Sequence, residues 1–382
     1  MQKVVATKYT PKKYASISAF LAFANNRFIF GHGFYKKTKL NTKLLNVLRQ
    51  KFLSFQRIIN KRMSSKFRVF ISKRMKSASD NPMTVVAWNK INRILACGYH
   101  NGMVNLYFVN LSREQPGSPS LENIQPIEYH KKPITALTWS DNGQFLSSGD
   151  SSGRVAFWHH PGKAWKHCLT NSSVASAVKS IRWNKRSDMT AIAYADSTVA
   201  CVCPTGELSW SNSIRQPVDF VEWCPHGGNL LCGTSFGEII IVDSRGIETG
   251  TIPMPCLTNA TSEPKLVTLQ WHRKTQYGLL IAYQGGQIQL MRNEQDTQPI
   301  VITCELELTA ATWFKSGTSF AVAGIKPNEH CNVLFFNSKG DAIRELDVTG
   351  TRIGSMNLDP NDTMIALAIE NLFCLAQIIP TF

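Results

Sequence analysis

The chain of 382 residues is 43% hydrophobic and 10% aromatic, enough apolar mass for a large buried core. A formal charge of +16 at pH 7 would ordinarily mark a nucleic-acid or anionic-membrane binder, but its distribution removes that inference for most of the chain. Residues 1–62 hold ten Lys and four Arg with no Asp or Glu, residues 63–79 add five basic groups, and the first acidic residue is Asp80. From residue 80 onward, 42 − 19 = 23 basic residues face 26 acidic ones, a net charge of −3. A nearly neutral body therefore follows a strongly basic leader.

In chain order, the leader opens with a basic start, a short apolar stretch from Ala15 to Ala24 and an A-x-A at Ala22 to Ala24. Two serines dilute that stretch, so it makes a poor secretory signal, and the N-x-S/T triplets at Asn171, Asn259 and Asn361 are no more than chance supplies. No run reaches the roughly 20 apolar residues of a transmembrane helix. Residues 38–62 place Leu40, Leu44, Leu48, Phe52, Phe55 and Ile59 at helical spacing among Lys and Arg. We read residues 1–62 as a basic N-terminal extension, helical or disordered, that the native protein need not contain. It leaves direct membrane contact or organelle targeting open as an alternative, and nucleic acid is not an expected partner.

The segment "KFRVFIS" (Lys66 to Ser72) is the only strand-like stretch before the body, with Phe67, Val69 and Ile71 on one face. It is expected to pair beside the closing "LFCLAQI" and shut the fold. That makes residues 63–382 one domain.

Within that domain one pattern recurs, an apolar strand ending in Trp and followed by a polar turn. The copies are "MTVVAW" (Trp88), "ITALTW" (Trp139), "VKSIRW" (Trp183), "VDFVEW" (Trp223), "LVTLQW" (Trp271) and "LTAATW" (Trp313), and a seventh, "IGSMNL", has Leu358 in place of Trp. Their intervals of 51, 44, 40, 48, 42 and 45 residues match the period of a four-stranded propeller blade. A small-residue strand, a tight turn and an apolar strand follow each copy, best seen in "LTWSDNGQFLSSGDSSGRVAFW". Gly102, Gly153, Gly237 and Gly286 fall at matching places in those turns, where a two-residue hairpin needs positive φ. Helical periodicity is absent after residue 80. The fold class is all-β: a seven-bladed β-propeller.

The copies resemble degenerate WD repeats (WD40-type). A buried His–Ser/Thr–Asp–Trp network often pins a blade in that family, and the resemblance implies His130, Ser148 and Trp158 for blade two. Ser152 stands where the family's Asp falls, so the network is expected to be incomplete. The Trp158 equivalents are Tyr107, Val242 and Met291, so the other blades are expected to rely on apolar packing.

No catalytic, cofactor-binding or metal site is expected. "HHPGKAWKHC" brings His159, His160, His167 and Cys168 within ten residues, but it reads as an exposed loop without a second ligand pair. The chain has no G-x-S-x-G elbow and no phosphate loop, and "YQGGQ" is a hairpin turn. All ten Cys lie after residue 96 without a C-x-x-C pair, the pattern of reduced, buried thiols, with Cys201 and Cys203 on one strand face.

The inter-blade stretches "PGKAWKHCLTNSSVASAVKSIRWN" and "GGQIQLMRNEQDTQPIVI", with "DNGQFLSSGDSSGRVAFW" and the ending "IENLFCLAQIIP", go further. Across about Met63 to Phe382 they look like the first propeller of the WD repeat-containing protein 35 family, with the tubby-like proteins that carry N-terminal WD repeats as the rival. The first family supplies subunits of intraflagellar transport complex A. The resemblance thus implies a non-enzymatic scaffold in retrograde ciliary transport and cilium assembly, located at the cilium, ciliary base, cytoplasm and cytoskeleton. The partners it implies are other complex A subunits and ciliary membrane cargo, without a small-molecule substrate. A WD40 adaptor or substrate receptor outside cilia is the alternative. Members of the family continue into a second propeller and a helical solenoid, so the chain is expected to be a fragment, a truncated gene model or a divergent paralogue.

Overall fold

The computed structural model describes residues 67–76, 81–111, 119–162, 164–258, 263–272, 274–326, 331–370 and 372–380. The expectations for residues 1–62, including the amphipathic helix, lie outside them.

Seven antiparallel sheets of four strands each form the seven-bladed propeller, and one 3-10 turn, Pro255–Leu257, is the only helical element among the described residues. Every recurring Trp segment is the innermost strand of its blade: Met83–Trp88, Ile134–Trp139, Val178–Trp183, Val218–Trp223, Leu266–Trp271 and Glu307–Trp313. The seventh is Ile353–Leu358, where Leu358 is itself buried. Each innermost strand touches that of the next blade, and the seventh touches the first, so the ring closes.

Blades one to six each use four strands consecutive in the chain. Blade seven runs Phe67–Lys76, Leu372–Pro380, Met364–Ile369, Ile353–Leu358 from rim to axis. The first described strand thus completes the last blade, with Phe67 opposite Pro380 and Lys76 opposite Leu372. It is longer than the stretch 66–72 read from sequence. A bulge between Ile71 and Lys73 switches faces, sending Val69 and Ile71 toward blade six and Met75 toward blade one. Arg344 Nε adds a 3.0 Å hydrogen bond to the Phe67 carbonyl.

Apolar residues gather in seven clusters, each a wedge between two adjacent blades. This follows from the period-2 pattern, because both faces of every blade are covered by neighbours. Register gives the repeats a common frame. Trp139 lies opposite Leu146, which lies opposite Trp158, and the same line reads Trp88–Leu95–Tyr107, Trp223–Leu230–Val242 and Trp271–Leu279–Met291.

The innermost strands are sheet edges whose N–H groups need partners. Side chains of the preceding blade accept several of these hydrogen bonds. Val86 N donates to Ser355 Oγ (3.2 Å), Trp88 N to Asn357 Oδ1 (3.0 Å), Ala311 N to Thr268 Oγ1 (3.0 Å) and Trp313 N to Gln270 Oε1 (3.1 Å). Two indoles reach back in the same sense, Trp139 Nε1 to Ala87 O at 2.9 Å and Trp223 Nε1 to Arg182 O at 3.0 Å. Polar residues one and three places before Trp therefore stitch blade to blade.

A second repeated device shapes the axis. In all seven innermost strands the register slips near the start of the strand, as at Val178/Ser180, Val218/Phe220 and Ile353/Ser355. The bulged residue (Thr84, Thr135, Lys179, Asp219, Val267, Thr309 or Gly354) lies at the start of the innermost strand of its blade.

All ten cysteines are free. Burial pushes the Cys201 thiol up to about 12 and that of Cys256 up to about 11, as expected for inert core thiols. Cys203 lies past the end of its strand, Thr198–Val202, and does not share the Cys201 face as a strand residue.

Candidate functional site

Blade two contains a continuous buried chain of polar side chains. Trp158 Nε1 donates to Ser148 Oγ at 2.9 Å, Ser148 Oγ lies 2.8 Å from His130 Nε2, and His130 Nδ1 lies 2.7 Å from Asp150 Oδ2. Asp150 corrects the expectation of an incomplete network. It is the last residue of the strand Phe145–Asp150, two places before the turn residue where an Asp was sought. Ser152, at that sought position, instead donates to Asp150 Oδ1 from its N–H (2.9 Å) and its hydroxyl (2.6 Å). A carboxylate two positions earlier, at the end of the strand, thus reaches the same imidazole.

Hydrogen bonding fixes the protonation. With Trp158 donating to Ser148, the serine hydroxyl hydrogen is free to go to His130 Nε2, and Nδ1–H donates to the carboxylate. Burial holds the His130 pKa below the usual histidine range despite the Asp150 partner. For Asp150, burial raises the pKa, but hydrogen bonds from Ser152 and His130 outweigh it and leave the carboxyl below its ordinary value. A neutral imidazole with both nitrogens bonded inside a wedge has no access to a substrate, so the arrangement locks the blade.

In blades one, three, four and five the positions equivalent to Asp150 are Tyr99, Tyr194, Thr234 and Tyr283, each closing the second strand of its blade. Packing in the other blades is not purely apolar, contrary to expectation. Asn105 Nδ2 donates to Tyr107 OH at 3.2 Å, and Tyr283 OH to Gly237 O at 2.7 Å.

Gly102, Gly153, Gly237 and Gly286 have φ of +90°, +95°, +82° and +86°. Space is a second constraint that sequence spacing did not reveal. A Cβ on Gly237 would stand 2.6 Å from Pro264 O in the loop entering the next blade, and one on Gly102, Gly153 or Gly286 would meet the carbonyls of His130, Val174 or Cys304. These turns are therefore docking points between blades.

The segment bearing His159, His160, His167 and Cys168 is only partly a loop. His159 ends the strand Val155–His159, while His167 and Cys168 lie on the outermost strand Lys166–Asn171. His159 stacks on Phe145 (5.9 Å), His160 meets Trp165 (5.2 Å) and His167 stacks on Tyr129 (4.7 Å). Trp165 is buried in the wedge between blades one and two, anchored by its N–H to Gln125 Oε1 at 2.9 Å. Three imidazoles on three different rings share no common focus.

An open cleft of about 990 Å³ lies across blades three to six. The bulged residues Lys179 and Asp219 project into it as an ion pair of 3.2 Å, and Ser235 Oγ donates to Asp219 Oδ2 at 2.7 Å. Entry loops and hairpin turns of the next blades supply Glu263, Lys265, Gln284 and Glu305, and the first residue of the innermost strand of blade six supplies Glu307. Two lysines against four carboxylates give the lining a formal charge of 2 − 4 = −2. Sequence reading missed this site, since its residues are spread over some 130 positions. The bulged second residue of each Trp segment was the one available signal.

A closed ring of blades, a structural histidine and an open polar cleft define a WD40-type propeller of the scaffold kind. Comparison with known proteins carries this to a family. Residues 67–379 match the family model described as WDR35/TULP4 N-terminal, and the chain belongs to that family. WD repeat-containing protein 35 from Homo sapiens and from Mus musculus are each 25% identical over 332 residues, covering 82% of this chain and 28% of the relative. Tubby-related protein 4 from Mus musculus is 24% identical over 295 residues, 66% of this chain and 19% of that protein. The match thus spans little more than a quarter of the length of WD repeat-containing protein 35 and about a fifth of that of tubby-related protein 4. Among solved structures, the C-terminal WD40 domain of Sif2 superposes with a TM-score of 0.62 at 13% identity, covering 82% of this chain and 99% of that one. The Cps50 (Swd1) propeller of Myceliophteria thermophila gives 0.63 at 17%, covering 81% and 99%. These two speak for the fold.

Proposed function

We propose that this chain is a non-enzymatic scaffold of intraflagellar transport complex A, acting in retrograde ciliary transport and cilium assembly. The observation that carries the reading is the family match over residues 67–379 together with the relatives named WD repeat-containing protein 35. On this reading the propeller faces bind other complex A subunits and ciliary membrane cargo, and the protein resides at the cilium, its base and the adjoining cytoplasm and cytoskeleton. Proteins rather than small molecules suit the open, charged cleft, because small-ligand sites are enclosed and mostly apolar. The test is affinity capture of the tagged protein from ciliated cells, with imaging of the same tag. Complex A subunits in the eluate and signal at the ciliary base are expected; even cytosolic signal and no such subunits would refute the assignment.

The tubby-related relatives favour a second reading, an adaptor or substrate receptor outside cilia. It predicts capture of a ligase or other assembly in place of complex A.

A further inference from the structure

We propose that the outer edge of blade seven, the strand Phe67–Lys76, takes an acidic segment of a partner protein as an antiparallel fifth strand. The proposal rests on the scaffold reading and deepens it, placing one contact on the circumference of the ring and naming its chemistry.

The first observation is free backbone. Val69 and Ile71 stand opposite Ile378 and Ala376, and Ile378 N donates inward, to Thr363 O at 2.8 Å. Alternation therefore turns the N–H and C=O groups of Val69 and Ile71 away from the blade. The Phe67 carbonyl faces the same way, since Arg344 Nε of blade six reaches it at 3.0 Å. Among the described residues nothing bonds the outward groups of Val69 and Ile71. Several other outermost strands offer less: those of blades four and five have four residues, and that of blade one holds Pro119 and Pro126. This one runs ten residues without proline.

The second is an apolar border. On the face toward blade six, Val69 and Ile71 are half-buried with Ile343 against the wedge. On the other face Phe70 is exposed, and so is Ile379, which stands opposite the neighbouring Arg68. An added strand would cover both borders with alternate side chains.

The third is charge, which selects the occupant. Arg68, Arg74 and Arg344 are exposed, and among the described residues none of them forms an ion pair. Like charge disfavours pairing with the same strand of a second copy. Residues 1–62 hold no carboxylate with which this chain could supply the strand itself. Asp or Glu of a partner would meet three unspent guanidinium groups.

Fluorescence anisotropy with the full chain tests the proposal. The probe is fluorescein-labelled Glu-Glu-Val-Tyr-Val-Glu-Glu, whose valines would face the outward groups of Val69 and Ile71. Two analogues separate strand addition from plain charge. N-methylation of both valines removes hydrogen bonds to the edge, whereas N-methylation of the tyrosine leaves them. The basic residues 1–62 attract every acidic probe alike, so the difference between the analogues carries the assignment. The valine analogue should bind about tenfold more weakly than the tyrosine analogue, or worse. Arg68→Glu/Arg74→Glu should weaken binding of the parent probe about tenfold, and Phe70→Ala severalfold. All three side chains are exposed, so the variants should melt with the parent protein. Equal affinity for the two analogues, or full-strength binding by the arginine variant, would overturn the proposal. A dimer of the chain that dissociates in Phe70→Ala would assign the edge to a second copy and overturn it. Sedimentation with phosphatidylserine vesicles that is lost in the arginine variant would assign it to a membrane, with the same result. Capture of complex A is a separate readout: peptide binding without it leaves the edge assignment standing and removes only the ciliary reading.

Discussion

Replacing Phe67 by Ala tests whether the first described strand holds the ring shut. Phe67 is 4% exposed, and its ring meets Phe335 edge-on at 5.3 Å and Phe314 at 6.0 Å in the wedge between blades six and seven. Truncating a buried Phe costs about 3–5 kcal/mol, and a strand end that can fray belongs at the lower figure, about 3 kcal/mol. In a domain of this size each kcal/mol moves the melting temperature by about 2 °C, so a fall of about 6 °C is expected. Phe70 on the same strand is 37% exposed and serves as the internal control, since its truncation should stay within about 0.5 kcal/mol. Thermal unfolding followed by near-ultraviolet circular dichroism, with tryptophan fluorescence as a second probe, measures both variants. Equal shifts for Phe67→Ala and Phe70→Ala would refute the clasp, because only the first side chain is packed in the wedge.

Stability should depend on pH through blade two. The His130 pKa is lowered by burial, so folding favours the neutral ring: the contribution is present above the unfolded histidine pKa and is lost as pH falls below it. Urea midpoints should therefore drop from about pH 7 toward about pH 5, and His130→Gln should flatten that slope while lowering stability at pH 7. A wild-type slope unchanged in His130→Gln would show that the group responsible lies elsewhere. Two glycines separate backbone strain from crowding. Gly227 (φ +73°) has open space around its Cβ position, whereas Gly153 (φ +95°) faces Val174 O. Gly227→Ala should cost about 1 kcal/mol and Gly153→Ala clearly more, and equal midpoints in urea would refute the docking role of the Gly153 turn.

Much of the fold was legible in the residues themselves. The Trp-terminated segments at intervals of 40 to 51 residues can satisfy a period-2 apolar pattern on both faces only if four-stranded units stack against one another. Seven copies then mean seven blades, and a lone apolar strand ahead of the first copy has its partner edge in the last. The Gly turns were legible too, since positive φ selects glycine locally.

The rest depends on contacts that have no fixed sequence separation. Asp150 was overlooked because a motif counts positions along the chain, while His130 senses only where a carboxylate lies in space. The 2.7 Å contact comes from the preceding strand residue, and Ser152 becomes its donor. The purpose of Ser355, Asn357, Thr268 and Gln270 likewise emerges only when the neighbouring blade's unpaired N–H groups are in place. Local periodicity determined the strands, their number and their tight turns, because those follow from side-chain alternation and backbone dihedrals. Stacking of consecutive blades determined the cleft: it brings the Lys179–Asp219 pair together with Glu263, Glu305 and Glu307, and no short window of sequence contains that arrangement.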